Sequence, residues 1–295
     1  MNPDWDLYLD AMTEGGEMPR PRRRADVLAA ALARRPAAAR VPRYAAPYAA
    51  RVSALDALLG ALGEDDHRRV AVEGWTVQEL VVHLLATDGL LARAVGAPAA
   101  DPPSGTEDAV ARTVELIRAE RGRPPGETRS RWREQARALC AHLCEAGEEA
   151  AGRRVSAGGL RMRLGDHLTQ RAFETWIHTD DIGRVMGLPV PLPVPEHLNP
   201  MAGLVARGLR LVAPRPGRLL RLELTGPGGG VWDVPLSRGA PPPGRVPDAV
   251  IVTDVAEFCF LVSGRRDPAS FEAVLSGDTE LAREVLAAAP ALSGP

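Results

Sequence analysis

Prolines alternate with aliphatic residues in the segment 188–195, and this segment separates two differently patterned parts of the 295-residue chain. Because proline fixes φ and has no N–H group, neither a helix nor a central strand can run through such a segment, which favours an extended linker. Before it, apolar residues recur at helical spacing; after it, short apolar runs alternate with Gly and Pro turns. We therefore predict an N-terminal arm over residues 1–44, a four-helix bundle over 45–190 and a smaller α+β domain over 198–295.

Local patterns predict the individual elements. The start of the second bundle helix is the clearest, because Thr76 and Glu79 form a capping box while Trp75 and Leu80 occupy the positions of a hydrophobic staple. Helical spacing predicts bundle helices over 47–63, 76–95, 128–151 and 164–186, with a further helix over 107–121. For the second part we predict helices over 200–212, 255–263 and 279–288 and strands over 219–224, 231–236 and 249–253.

Composition and charge exclude several classes of protein. The net charge of −2 and the pI of about 6.3 provide no general attraction to nucleic acid or to an anionic membrane. An arginine cluster at 19–24 is more typical of a solvated linker than of a phosphate-binding surface. No apolar run is long enough to span a bilayer, and three cysteines in a chain of this length fit a reducing compartment. We therefore expect a cytoplasmic protein that acts on small molecules.

Five polar residues form one stripe along the fourth predicted bundle helix, namely His167, Arg171, Glu174, His178 and Asp181. At about 3.6 residues per turn they fall on one face of the helix. Apolar residues border the stripe on both edges, which is not typical of a solvated face. Buried imidazoles and carboxylates are unfavourable unless they are paired or bind a metal, so we predict that this stripe faces the interior.

The stripe predicts a metal site. Glu174 and His178, one helical turn apart, can bind one ion, and His83 on the second helix is the best candidate for a third ligand. Two imidazole nitrogens and one carboxylate oxygen suit zinc, and three protein ligands leave a fourth position open to water or a thiol. Each residue also has a structural interpretation, as a hydrogen-bonded core histidine or as a surface Glu–His pair.

The other three residues of the stripe have supporting roles in this hypothesis. His167, Arg171 and Asp181 would orient the ligands or hold an anionic substrate. We predict no catalytic residue beyond the metal site itself, because no Ser-His-Asp arrangement can be inferred from the spacing.

Two segments resemble a known family. Trp75-Thr-Val-Gln-Glu-Leu-Val-Val-His83 and Glu174-Thr-Trp-Ile-His-Thr-Asp-Asp181 are similar to motifs of the mycothiol-dependent maleylpyruvate isomerase family, within the DinB-like superfamily. Residues 198–295, with Gly264–Pro268 and Leu275–Asp278, look like the α+β domain that accompanies this bundle and is similar to sterol-carrier folds.

The resemblance implies that His83, Glu174 and His178 bind zinc, or another divalent metal, and that mycothiol is the second cofactor. Its thiol would add to an electrophilic small molecule: addition followed by elimination gives cis-trans isomerisation, and addition alone gives an S-conjugate. All 36 basic residues are arginine, which suggests a GC-rich genome and fits an actinobacterial source, where mycothiol is made. Because the arm and the Pro/Gly-rich segment 97–126 depart from the family pattern, we expect a substrate other than maleylpyruvate.

Two other functions remain open. A metal-dependent hydrolase or cyclase would use the same site to ionise water without a thiol. A non-catalytic binding or regulatory protein could be built on the same bundle, with the N-terminal arm contacting a partner. The oligomeric state is not predicted.

Overall fold

The computed structural model describes residues 38–72, 74–100, 105–237 and 244–293; residues 1–37, most of the predicted arm, lie outside them. The first part of the described chain is mainly helical. Its helices are α1 (Ala46–Leu59), α2 (Val77–Val95), α3 (Ala109–Glu120), α4 (Pro125–Ala146) and α5 (Leu164–Met186). Helix α1 packs along α5, and α2 packs against both α3 and α4. Residues 38–44 of the predicted arm lead into α1 through a short 3-10 turn.

Helix α2 begins and ends as predicted. The Thr76 hydroxyl accepts a hydrogen bond from the Glu79 N–H, and the Glu79 carboxylate accepts one from the Thr76 N–H, which completes the capping box. Gly96 ends the helix with φ of 88°, in the left-handed region that glycine adopts without a steric penalty. Most side chains between these ends are buried, so α2 is a central element of the helical part.

Two helix boundaries differ from the prediction by five residues. Helix α4 ends at Ala146 instead of continuing to residue 151, because Gly147 follows with φ of 74° and a 3-10 turn takes over. The helix expected from Pro200 begins five residues earlier, as α6 (Pro195–Val212). Pro195 takes the first helical position, where the missing N–H has no helical partner, and Pro200 removes only one internal hydrogen bond.

Two short hairpins precede the helices that carry the predicted site. Strand β1 (Val70–Val72) pairs with β2 (Trp75–Thr76) before α2, and β3 (Arg154–Ala157) pairs with β4 (Leu160–Arg163) before α5. The turn between β3 and β4 consists of two glycines with positive φ, the geometry that matches the twist of paired strands. These hairpins were not predicted, since such short strands carry little alternation.

The second part of the chain contains a four-stranded sheet in the order β6-β5-β7-β8. Its elements are β5 (Leu219–Thr225), β6 (Gly230–Pro235), β7 (Ala249–Asp254), α7 (Val255–Val262), β8 (Val274–Gly277) and α8 (Thr279–Ala288). Strands β5 and β7 are parallel, and the two outer strands pair antiparallel. The largely exposed β8 was not predicted, because its side chains show no buried alternation.

The two parts share one hydrophobic core. Leu168 and Trp176 of α5 belong to the same buried cluster as Leu222 of the sheet and Phe258 of α7. Helix α5 therefore contributes to the helical packing and also to the packing against the sheet, which explains why one of its faces can hold a site between them.

The mixed helical and sheet content agrees with the predicted fold class, whereas the three-part domain division stays a prediction. None of the described helices is long and apolar enough to cross a membrane.

Candidate metal centre

Three predicted site residues converge from two helices. His83 extends from α2, Glu174 and His178 extend from α5, and one ligand atom of each lies within 4.8 Å of the others. His83 Nε2 is 2.8 Å from Glu174 Oε1, and the two imidazole rings meet edge to face with centroids 5.3 Å apart. Glu174 and His178 point the same way because they are one turn apart on α5. The capping box fixes where α2 begins, and with it the position of His83.

The second nitrogen of each imidazole is held by an oxygen. His83 Nδ1 lies 3.2 Å from Thr113 Oγ1 of α3, and His178 Nδ1 lies 3.1 Å from Asp181 Oδ2. Metal-binding histidines are commonly oriented in this way, which leaves the other ring nitrogen for the metal. Burial lowers the pKa of His178, although its hydrogen bond to Asp181 acts in the opposite direction. The lowered pKa favours the neutral imidazole that coordination requires.

A buried arginine holds the candidate carboxylate ligand. Arg171 Nη2 donates to Glu174 Oε1 at 2.9 Å, and its Nη1 donates to Glu174 Oε2. Burial alone would raise the pKa of Glu174, but the charge of Arg171 and the hydrogen bond with His83 hold that pKa well below its usual range. Glu174 is therefore ionised and fixed in orientation, as a metal ligand must be.

The same arginine reaches a second carboxylate deeper in the protein. Arg171 Nε donates to Asp88 Oδ1 at 2.7 Å, and the Tyr48 hydroxyl donates to Asp88 Oδ2 at 2.9 Å. Asp88 and Tyr48 are fully buried. Burial raises the pKa of Asp88, while Arg171 acts in the opposite direction. Arg171 Nη2 also donates to Thr87 Oγ1 at 2.7 Å. Arg171 therefore joins α5 to α2, and Asp88 continues the contact to Tyr48 of α1.

Asp181 links the helical part to the C-terminal part. Arg265, in the loop that follows α7, donates from Nε to Asp181 Oδ1 at 3.0 Å and from Nη2 to Asp181 Oδ2 at 2.6 Å. Burial alone would raise the pKa of Asp181, but the hydrogen bonds with His178 and Arg265 lower it. The ionised Asp181 thus orients His178 and is itself oriented by Arg265.

His167, the remaining residue of the predicted stripe, has a separate role. Its Nε2 lies 3.0 Å from the Val155 carbonyl oxygen of β3, and burial lowers its pKa. The ring lines the same cavity as the three convergent residues. It therefore contributes to the wall of the site through the hairpin that precedes α5.

The convergent residues line a cavity of about 330 Å³. The polar part of the lining also includes Thr87, Thr113, His167, Gln170, Arg171, Arg265 and Ser293. The apolar part of the lining includes Val72, Trp75, Leu90, Leu91, Val110, Ala157 and Leu160. A cavity of this size suits the reactive end of a thiol together with a small molecule.

Several contacts of the site escaped the sequence analysis. Asp88, Thr113 and Arg265 each hold a residue of the predicted stripe or its partner, yet none was singled out. A carboxylate in the middle of helix α2, with the apolar runs Val81–Val82, Leu84–Ala86 and Leu90–Ala92 around it, was a usable signal for Asp88. Thr113 gave no such signal, and Arg265 was included only in the family motif Gly264–Pro268 without a role. Their roles depend on where α3 and the loop after α7 pack.

The donor set fits a divalent metal. Two imidazole nitrogens and one ionised carboxylate oxygen are the ligands found in catalytic zinc sites that keep one position open. Both imidazoles also have their second nitrogen held by an oxygen, as such sites require. The contact between His83 and Glu174 would be replaced by bonds from both residues to the metal.

Comparison with known proteins confirms the resemblance predicted from the two motifs. Residues 48–183 match the model of the mycothiol maleylpyruvate isomerase N-terminal domain, a range that contains the whole polar stripe and His83. Proteins from two strains of Mycobacterium tuberculosis, described only as uncharacterized, are each 28% identical over 258 residues, covering 82% of this chain and 91% of the relative.

Solved structures show a similar fold. The crystal structure of the mycothiol-dependent maleylpyruvate isomerase aligns with a TM-score of 0.52, and that of a mutant of it aligns with 0.53. Both are 18% identical in sequence, and the alignment covers 79% of this chain and 91% of theirs. The similarity extends beyond the helical part and includes most of the described chain.

Proposed function

We propose that the chain is a zinc-dependent enzyme that activates mycothiol, because residues 48–183 match the model of the mycothiol maleylpyruvate isomerase N-terminal domain. The thiol adds to an electrophilic small molecule, with S-transfer or cis-trans isomerisation as the outcome. The observation that carries this proposal is the convergence of His83, Glu174 and His178 on the wall of a cavity. Zinc is the first choice of metal, and another divalent ion is the alternative.

The proposed ligands are His83, Glu174 and His178. A divalent metal bound by them lowers the pKa of a coordinated thiol, so that the nucleophilic thiolate is present at neutral pH. Thr113 and Asp181 hold the two imidazoles, and Arg171 holds Glu174. The apolar lining would reduce the number of water molecules beside a bound thiol, which would strengthen charge interactions there.

We also propose the organisation expected from the sequence. The helices α1, α2, α4 and α5 would form a DinB-like four-helix bundle over residues 45–190, preceded by an arm over 1–44. Residues 198–295 would form a smaller α+β domain of the sterol-carrier type. We propose a cytoplasmic location for the whole chain. The contact between Arg265 and Asp181 supports a site to which both parts contribute.

Metal analysis and a thiol-dependent assay test the proposal together. We expect the purified chain to bind close to one equivalent of zinc and to catalyse reaction of mycothiol with an electrophile. His83→Ala should abolish metal binding and activity, whereas His142→Ala, on α4 and outside the cavity, should leave both intact.

Each alternative function gives a different result in these experiments. Activity that requires metal but is unchanged without thiol would identify a hydrolase or cyclase. The enzyme proposal is refuted if the native chain binds no metal. It is also refuted if the cellular function survives His83→Ala and His178→Ala with the fold intact. Either result would leave the binding or regulatory interpretation.

A further inference from the structure

Both cationic side chains among the described residues that line the cavity are already paired with carboxylates. Arg171 uses its Nε for Asp88 and its two terminal nitrogens for Glu174 and Thr87. Its side chain is only 7% exposed, so it cannot turn away from these partners without large rearrangement.

Arg265 is engaged in the same way. Its Nε and Nη2 donate to the two oxygens of Asp181, and its Nη1 donates to the Ser263 carbonyl oxygen. The side chain is 12% exposed and belongs to a buried pair. A carboxylate on a ligand would have to displace Asp181 in order to bind this arginine.

Each arginine on the cavity thus has a carboxylate partner within the protein: Arg171 contacts Asp88 and Glu174, and Arg265 contacts Asp181. Neither has a terminal nitrogen without a partner that could receive a carboxylate of a ligand. A ligand carboxylate would therefore add an unpaired charge to a partly buried site, which is strongly unfavourable.

The apolar part of the lining begins next to a proposed metal ligand. The ring of Trp75 lies 4.9 Å from the ring of His83, centroid to centroid. Val110 at the start of α3 and Leu160 at the start of β4 also line the cavity, and their side chains are 54% and 43% exposed. Two exposed aliphatic side chains from separate elements on one cavity provide an apolar contact surface for a ligand.

We propose that the electrophile is an uncharged, largely apolar α,β-unsaturated carbonyl compound, an assignment that rests on the proposed function. It lies with its apolar groups against Trp75, Val110 and Leu160 and its reactive double bond towards the thiol. The sulfur forms a bond to the β-carbon, and the π electron pair moves to the α-carbon, which takes up the proton that the thiol released. Reversal after rotation about the former double bond returns the thiol and the isomerised compound, so no other reagent is consumed.

A matched series of electrophiles tests this assignment on the zinc-loaded chain with mycothiol. Diethyl maleate, monoethyl maleate and maleate differ in the number of carboxylates, and each catalysed rate is divided by the uncatalysed rate with the same thiol. We expect this ratio to fall by about tenfold or more with each carboxylate. A ratio for maleate equal to or above that for the diester would overturn the assignment.

Binding of unreactive analogues separates this assignment from the proposed function. Ligand-observed NMR should detect diethyl succinate, but not succinate, on the zinc-loaded chain. If the diester binds and no electrophile reacts in a thiol-dependent way, the enzyme proposal fails while the preference for an uncharged ligand stands. Succinate binding as tightly as the diester refutes the preference whatever the activity.

One pair of variants adds a control for the cavity surface. Leu160→Arg places a free cation in the apolar part of the lining, so the ratio of maleate to diester reaction should rise about tenfold or more. Val246→Arg makes the same change at a valine that is 79% exposed and does not line the cavity, and the ratio should not change. An equal rise in both variants, or none in Leu160→Arg, would count against the apolar contact surface.

Discussion

The two arginines of the site differ in what they hold. Arg171 comes from the same helix as Glu174, contacts that proposed ligand directly and continues to the fully buried Asp88. Arg265 comes from the C-terminal part and contacts Asp181, which only orients the ligand His178. The contacts of Arg171 therefore belong both to the helical core and to the proposed metal site. Arg265, by contrast, influences the proposed site only through Asp181. Removing each arginine should therefore affect stability and metal affinity to different degrees.

Arg171→Leu should have the largest effect on stability. The substitution leaves the carboxylates of Asp88 and Glu174 buried without their cation, and breaking a buried pair in this way costs about 3–5 kcal/mol. Urea unfolding of the metal-free variant should show a loss of free energy of unfolding in this range. Arg207→Leu is the matched control, because its pair with Asp166 is exposed and should contribute less than about 1 kcal/mol. Equal losses in both variants would contradict the comparison.

Asp181→Asn should lower the affinity for metal. The amide keeps the shape of the side chain but removes the ionised carboxylate that accepts a hydrogen bond from His178. Loss of such a contact typically lowers metal affinity by about 10–100-fold. Competition with a chromophoric zinc chelator measures this change. Asp180→Asn alters the neighbouring residue, which pairs with Arg184 instead, and should leave zinc affinity unchanged. Unchanged affinity in Asp181→Asn would show that His178 needs no partner.

Arg265→Gln should have a smaller effect on metal affinity, below about tenfold, because it acts on His178 only through Asp181. The double variant with Asp181→Asn should lose little more than Asp181→Asn alone, since both changes disturb one chain of contacts. Fully additive losses of zinc affinity would mean that Arg265 reaches the metal site by another route.

The residues of the site also differ in whether the sequence could predict them. The elements of the site that repeat at helical spacing, Glu174, His178 and the stripe around them, were predictable because position along a helix determines direction. The start of α2 was predictable from local capping chemistry at Thr76. The partners Thr113 and Arg265 come from segments whose placement depends on packing among distant elements, and no local pattern encodes it.

The sequence analysis missed the start of α6 and the hairpin of β3 and β4, both of which depend on proline or glycine. Pro195 was expected to end the linker as extended chain, yet it starts α6, because proline is as well suited to the first position of a helix as to a linker. The two-glycine turn between β3 and β4 carried a hairpin signal, but the flanking strands are only four residues each. That hairpin matters for function, since Ala157 and Leu160 lie on the cavity.

Tyr48→Phe should have the smallest effect on zinc affinity, and it tests how far the contacts of Arg171 influence the metal site. The phenol donates to Asp88, and burial raises its pKa well above the usual value, so it stays a neutral donor over the whole accessible pH range. Removing the hydroxyl leaves one oxygen of a buried carboxylate without its donor, at a cost of about 1–3 kcal/mol in the free energy of unfolding. Zinc affinity should stay within about twofold, because Arg171 still holds Glu174 through its own two nitrogens. Unfolding and chelator competition on the same preparation measure both quantities. A loss of zinc affinity larger than that of Asp181→Asn would mean that the buried contacts around Asp88, and not the contacts of the imidazoles, set the geometry of the metal site.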